Sequence, residues 1–269
     1  MPDFATEAHS DSAGRRLRVC ALYPDLMNIY ADRGNLLMLE RRCAWRGISF
    51  ELASSSLGEP LDASTYDLFY LGGGQDRDQR LCAEDLLETK RDALHEAASR
   101  GAIVLGICGG YQLLGRSYVL GNERIEGVGL LDVETVREDG ERLIGNVAIE
   151  VRLDDDASPA SSNGESAGAR VLAGFENHGG RTTLAPGQTP LGRVLHGHGN
   201  DGRSGFEGAR SGNTIGTYLH GPLLPKNSWF ADWLIARAIG LSEHALEPLE
   251  DTLELAAHAG ARRVAGLTA

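Results

Sequence analysis

Residues 101–115 read GAIVLGICGGYQLLG. The apolar run 103–107 is typical of a buried strand in a parallel sheet, and 111–114 indicate the start of a helix. Cys108 and two glycines stand between them. A reactive side chain flanked by glycines, between a strand and a helix, is typical of a nucleophile elbow, whose sharp turn favours residues without a Cβ. The stretch therefore predicts an α/β sheet with the Cys108 thiol standing above it.

The predicted helix after Cys108 would also favour a reactive thiolate. Backbone N–H groups and the positive end of the helix dipole lower the pKa of a thiol placed there. The alternative is a buried cysteine that packs as a small apolar residue, which is common for cysteines outside disulfides.

Composition limits the classes of function. The chain has 269 residues, 42 % of them hydrophobic, enough for one large domain or one domain with appendages. Its net charge of −12 argues against a nucleic-acid partner, because phosphate binding needs a basic surface. No apolar run reaches the length of a membrane span. The four cysteines form no C-x-x-C pair, which favours a reduced cytoplasmic protein without a metal site.

The segments before the elbow alternate between strand and helix patterns. This alternation predicts a doubly wound, mostly parallel α/β sheet. Residues 1–16 contain acids and no apolar core, so we expect a flexible N-terminal tail and not a signal peptide. The predicted strands are 17–23, 49–53, 66–71 and 103–107, and the predicted helices are 35–46 and 84–100.

The second half of the chain is β-rich. Two segments, 127–136 and 143–153, indicate antiparallel strands, and 154–169 is a polar, low-complexity stretch that predicts a flexible loop. A last core helix is predicted over 229–239. The domain is expected to span 17–241, and 242–269 is expected to be a C-terminal tail.

A cysteine nucleophile needs a base, and His220 is the predicted one. It follows directly after the apolar segment 214–219, which indicates a strand. Strand ends in such sheets face the ligand crevice, where an imidazole can take the thiol proton and later release it. The alternative is an ordinary loop histidine at a turn.

Backbone donors for an oxyanion are expected beside the thiol. The N–H of Gly109, directly after Cys108, is one candidate, and Gly73 in the triple-glycine loop 72–74 is the other. A phosphate cradle or an ordinary tight turn remain alternatives for that loop, although the chain contains no Walker motif.

Five separate stretches resemble one family. GICGGYQ resembles the class I glutamine amidotransferase pattern, glycine–aliphatic–Cys–x–Gly–x–Gln. The set as a whole is similar to the GatD family, the glutaminase subunits of lipid II isoglutaminyl synthases, among the cobyric-acid-synthase-like amidotransferases. The resemblance covers about residues 17–239. The other four stretches are YPDLMNIYADRGN (23–35), LGGGQDRDQ (71–79), GFENHGGRT (174–182) and GTYLHGPLLPKN (216–227).

The resemblance implies a flavodoxin-like fold and a function. L-glutamine would be hydrolysed in this chain, and its ammonia would pass to MurT, a Mur-ligase-like partner in a heterodimer. MurT would use ATP and Mg²⁺ to amidate the D-glutamate α-carboxylate of lipid II in peptidoglycan synthesis, so this chain itself would need no cofactor. Cys108 and His220 match the family's nucleophile and base, and Arg142 matches its glutamine-binding arginine. Gln112 matches the glutamine of the motif and would line the pocket.

One expected residue is missing from its usual place. Class I enzymes usually continue H-x-E, whereas this chain reads His220-Gly221-Pro222. A carboxylate from elsewhere in the chain, a carboxylate from the partner, or a Cys/His dyad would each solve this. The hypothesis that we carry forward is that the partner supplies it.

Three other functions remain open. One is a different cobyric-acid-type amidotransferase, although those enzymes usually carry a synthetase domain and this chain has no P-loop. Another is a stand-alone cysteine amidase of the same fold, which would release ammonia from peptides. The third is a silent scaffold, in which a glutamine analogue would not label the thiol.

Overall fold

A six-stranded, mostly parallel sheet forms the centre of the protein. The computed structural model describes residues 14–28, 33–153 and 168–267. The strand order is β13-β14-β4-β3-β1-β2, and only β13, at one edge, runs antiparallel to its neighbour. The predicted α/β sheet is therefore confirmed. Its strands are β1 (Arg16–Leu22), β2 (Ser49–Ser55), β3 (Leu68–Leu71), β4 (Ile103–Ile107), β13 (Ala209–Ser211) and β14 (Thr214–Thr217).

Helices pack against this sheet and against one another. The helix predicted from residue 84 begins at Asp76 instead, where Asp76 and Asp78 place acids in the first turn and complement the helix dipole. The helices are α1 (Arg33–Trp45), α2 (Asp76–Asp85), α3 (Arg91–Ser99), α4 (Gly109–Leu114), α5 (Ser228–Ala238) and α6 (Thr252–Val264), with a π-helical turn (Leu86–Lys90) between α2 and α3 and 3₁₀ turns at Leu224–Lys226 and Glu243–Ala245.

Two smaller four-stranded sheets account for the β-rich second half. One has the order β10-β7-β5-β6 and the other β12-β11-β8-β9. The antiparallel prediction for 143–153 is right, whereas β7, which overlaps the predicted strand 127–136, pairs parallel with β5 as well as antiparallel with β10. These strands are β5 (Ser117–Leu120), β6 (Glu123–Glu126), β7 (Val133–Arg137), β8 (Leu143–Val151), β9 (Arg170–His178), β10 (Gly180–Leu184), β11 (Gly192–His196) and β12 (Phe206–Glu207).

The predicted tails and loop have different outcomes. Residues 1–13 and 154–167 lie outside the described residues, so the N-terminal tail and the flexible loop stay predictions. The segment expected to be a C-terminal tail contains α6, which contacts β8 and β9. Ala265 just after it is buried against Ala148 and Ala173, because these small side chains allow close approach.

A buried ion-pair cluster connects α1, α5 and the start of α6. The Arg42 guanidinium is fully buried and pairs with Asp232 on α5 and with Asp251, at 2.8 Å, just before α6. Arg46, which follows directly after the end of α1, also pairs with Asp232 at 2.8 Å. A buried guanidinium without these partners would be costly, so the cluster holds the C-terminal segment on the domain.

We expect Arg42→Ala to lower the free energy of unfolding by about 3 kcal/mol, because it leaves Asp251 without its buried counter-ion and removes one of the two guanidinium partners of Asp232. Urea titration followed by circular dichroism measures the change. Arg41→Ala is the matched control, since Arg41 is the exposed neighbour on the same helix. Equal losses in the two variants would contradict this account of the cluster.

Candidate active site

Cys108 has the backbone geometry of a nucleophile elbow. It stands between the last residue of β4 and the first residue of α4, with φ 53° and ψ −106°. A non-glycine residue in this region costs on the order of 1–3 kcal/mol, so the surrounding structure must enforce the turn. The Cys108 N–H donates to the Thr217 carbonyl at 2.8 Å, which ties the elbow to the end of β14.

The two glycines after Cys108 allow α4 to lie directly against the triple-glycine loop. A Cβ on Gly110 would lie 2.2 Å from the Leu71 carbonyl oxygen, and one on Gly109 would lie 3.0 Å from the Gly74 nitrogen. The Gly110 N–H donates to the Gly72 carbonyl at 3.0 Å. The structure thus brings the Gly72–Gly74 loop beside Gly109, as the oxyanion-hole prediction for Gly73 and Gly109 requires. That role stays a prediction.

A pocket of about 270 Å³ opens beside the thiol. It brings together three of the predicted site residues, Cys108, Gln112 and Arg142. Sequence reasoning did not assign several other lining residues to the site. The lining consists of Gly74, Gln75, Asp76, Gln79, Cys108, Gln112, Tyr118, Arg137, Arg142, His178 and Gly179.

Gln112 is held in place by a buried hydroxyl network. Its amide nitrogen donates to the Tyr218 hydroxyl at 3.2 Å, and that hydroxyl lies 2.6 Å from the Thr182 hydroxyl. With the nitrogen engaged, the amide oxygen is the acceptor that Gln112 can offer to a ligand.

Arg142 is positioned by Asn177 at the end of β9. Its Nε donates to the Asn177 side-chain oxygen at 2.7 Å, and its Nη2 donates to the Asn177 carbonyl at 2.7 Å. The side chain is otherwise exposed at the rim of the pocket. A guanidinium held in this way is suited to a carboxylate ligand, since its remaining N–H donors are preoriented.

His220 is buried next to the pocket, although it is not among the lining residues. Its backbone forms a two-way bridge with Phe175, with N···O distances of 3.0 and 3.1 Å. Burial, followed by electrostatic interactions with His178, Lys226 and Arg142, lowers the pKa of His220 to about 4. The imidazole is therefore neutral at pH 7 and able to accept a proton.

His178 is a further histidine of the pocket. It lies in the GFENHGGRT motif, but nothing in the sequence separates it from seven other histidines. Its ring stacks on Tyr218, with centroids 3.6 Å apart, and its Nδ1 lies 2.8 Å from the Gly180 carbonyl oxygen. Neither His196, which ends β11, nor His198 lines this pocket.

Comparison with known proteins assigns a family. A model of the CobB/CobQ-like glutamine amidotransferase domain matches residues 18–228. The chain is 36% identical over 225 residues to lipid II isoglutaminyl synthase (glutamine-hydrolyzing) subunit GatD of Streptococcus pneumoniae, covering 83% of this chain and 81% of that protein. The same subunit of Staphylococcus aureus is 38% identical over 228 residues, covering 84% and 86%.

More distant relatives share the domain or only the fold. Cobyric acid synthase of Pelotomaculum thermopropionicum is 37% identical over 206 residues, which cover 71% of this chain but 36% of that protein. A structure of PurLQS from Thermotoga maritima matches with a TM-score of 0.55 and 22% identity, covering 91% of this chain and 98% of that chain. That last likeness supports the fold alone.

We expect an electrophilic glutamine analogue to alkylate Cys108 and no other cysteine. Cys108 lines the pocket, whereas burial raises the pKa of Cys20, Cys43 and Cys82 to about 12, which keeps them as unreactive thiols. Peptide mass spectrometry locates the label. Cys108→Ser should abolish labelling and Cys82→Ser should leave it intact; label on any of the other three cysteines would contradict the prediction.

Proposed function

The chain belongs to the CobB/CobQ-like glutamine amidotransferase family, and on that premise we propose that it hydrolyses L-glutamine as the GatD-type subunit of a lipid II isoglutaminyl synthase. The observation that carries the proposal is the strained Cys108 elbow, which opens into a pocket with Arg142 and Gln112. The two GatD relatives are similar over more than four fifths of their length.

In the proposed reaction, Cys108 forms a thioester. Its sulfur attacks the side-chain amide carbon of glutamine while His220 takes the thiol proton. The oxyanion of the tetrahedral intermediate accepts hydrogen bonds from the backbone N–H groups of Gly73 and Gly109. Collapse of the intermediate breaks the C–N bond, and His220 gives its proton to the departing ammonia. Water, deprotonated by His220, then hydrolyses the thioester and releases glutamate.

The charged groups around His220 favour rapid transfer of the proton from its imidazolium form to the departing ammonia. His178, Lys226 and Arg142 all disfavour the imidazolium form, in addition to the effect of burial. An imidazolium formed in this environment is a strong acid and readily protonates the leaving group. The same charges make the first proton transfer costly, so a carboxylate brought close to His220 would speed the reaction.

The ammonia would be used by a second subunit. We propose a heterodimer with MurT, a Mur-ligase-like chain that holds ATP and Mg²⁺ and amidates the D-glutamate α-carboxylate of lipid II. Support comes from the names of the two GatD relatives, each described as a subunit of lipid II isoglutaminyl synthase. The direct test is whether a Mur-ligase-like chain co-purifies with this protein.

A cytoplasmic location is part of the proposal. All four cysteines lie among the described residues and are buried thiols, which suits a reducing compartment. Among the residues that the structure describes, no helix combines the length and the apolar character needed to cross a bilayer.

We expect Arg142→Ala to raise the KM for glutamine about ten- to a hundredfold, with a smaller effect on kcat. A lost hydrogen bond to a charged group costs on the order of 1.5–3 kcal/mol, and the α-carboxylate is bound in ground state and transition state alike. Ammonia release at varied glutamine concentration gives both constants. Arg193→Ala is the control, since Arg193 is a surface arginine on β11 outside the pocket. An unchanged KM would remove Arg142 from the binding site.

We also expect glutaminase activity to be low in the isolated chain and to rise in the complex. Pro222 occupies the position of the usual orienting glutamate, and loss of the orienting acid costs several powers of ten in a comparable triad. Turnover of the chain alone is compared with turnover of the complex, and interface carboxylates of the partner are then replaced one at a time. Full turnover by the isolated chain would rule out a partner-supplied acid.

A further inference from the structure

Asp76 is the only acid among the described residues that line the pocket beside Cys108. It is the first residue of α2 and follows directly after the loop LGGGQ. No step of the proposed reaction uses it. The pocket also contains two guanidinium groups, those of Arg137 and Arg142, so one carboxylate shares the pocket with two positive charges.

The Asp76 carboxylate is held by two residues of the neighbouring sheet. One oxygen accepts a hydrogen bond from the Tyr118 hydroxyl at 3.1 Å, and the other accepts from Arg137 Nη1 at 3.2 Å. Tyr118 lies on β5 and is 2 % exposed, and Arg137 ends β7. Because both partners belong to strands, the carboxylate has one defined orientation, and each oxygen still has lone pairs for a further donor.

The charge of the proposed substrate gives this carboxylate a role. L-glutamine carries an α-carboxylate, an α-ammonium group and a neutral side-chain amide. Arg142 is suited to the α-carboxylate, and the amide must reach Cys108. A pocket with two guanidinium groups would repel the α-ammonium group unless an acid offset their charge. A carboxylate would also bind the ammonium group through charge-assisted hydrogen bonds, which are stronger than those between neutral groups.

We propose that Asp76 binds the α-ammonium group of L-glutamine and thereby selects α-amino acid amides over amides that lack this group. The inference rests on the proposed function, because it assumes that glutamine occupies this pocket. It adds a residue that determines specificity, carried on the loop–helix junction that follows the triple glycine.

A purely structural role for Asp76 predicts a different result. If Asp76 only held Tyr118 and Arg137 in place, its loss would weaken every amide equally. Glutaramate separates the two roles, because it has the carboxylate and the amide of glutamine but no amino group. Only a direct contact with the ammonium group makes the effect depend on the ligand.

The experiment measures the Kd of L-glutamine and of glutaramate by calorimetry, in a Cys108→Ala background that prevents turnover. Asp76→Asn should raise the Kd of glutamine about ten- to a hundredfold and change that of glutaramate less than about twofold. Asp76→Glu keeps the charge and should retain part of the preference for glutamine over glutaramate. If Asp76→Asn does not fold, this variant tests the role of Asp76 in its place. Asp78→Asn is the matched control, since it removes an acid from the same first turn of α2 but outside the pocket.

Equal weakening of both ligands in Asp76→Asn, or an unchanged Kd for glutamine, would overturn the role of Asp76 and leave the proposed function standing. In Asp76→Glu, loss of the preference for glutamine over glutaramate would also overturn the role of Asp76. Failure of the Cys108→Ala parent to bind glutamine would instead overturn the proposed function, and the inference with it.

Discussion

The left-handed backbone conformation of Cys108 is the constraint on which the site depends. It turns the chain sharply from β4 into α4 and places the thiol at the pocket. Close approaches enforce it: a Cβ on Gly106 would lie 2.7 Å from the Leu114 side chain, and one on Gly110 would lie 2.2 Å from the Leu71 carbonyl oxygen. The conformational cost at one residue is therefore offset by the packing of α4 against β3 and β4.

Electrostatics around the pocket are arranged in two layers. At the pocket, burial together with His178, Lys226 and Arg142 keeps His220 neutral, and Asp76 is the one acid among the described lining residues. Beneath it, the buried Glu207 accepts hydrogen bonds from the Tyr218 N–H at 2.6 Å and the Thr217 hydroxyl at 2.9 Å. Burial raises the pKa of Glu207 to about 8, although the hydrogen bonds that it accepts act in the opposite direction.

The sequence predicted those features that are formed by residues close together in the chain. The parallel sheet and the elbow come from patterns of a few consecutive residues, and both are present. The start of α2 at Asp76 was missed because glycines precede it and hide the start signal. The docking of α6 depends on contacts between small residues far apart in sequence, which no local pattern shows. For the same reason the sequence did not assign Asp76, Tyr118 and Arg137 to the site. These side chains contact one another only when the central sheet and a smaller sheet pack together.

The central claim is that Cys108 forms a covalent intermediate with the side chain of glutamine, and trapping that intermediate tests it most directly. The protein, with its partner subunit where one co-purifies, is mixed with isotopically labelled L-glutamine and quenched in acid within milliseconds to seconds. We expect a peptide containing Cys108 with the mass of a γ-glutamyl thioester, which appears before free glutamate accumulates and is lost on treatment with hydroxylamine. Ammonia release with no adduct on Cys108 at any quench time, or an adduct on a different residue, would contradict the account.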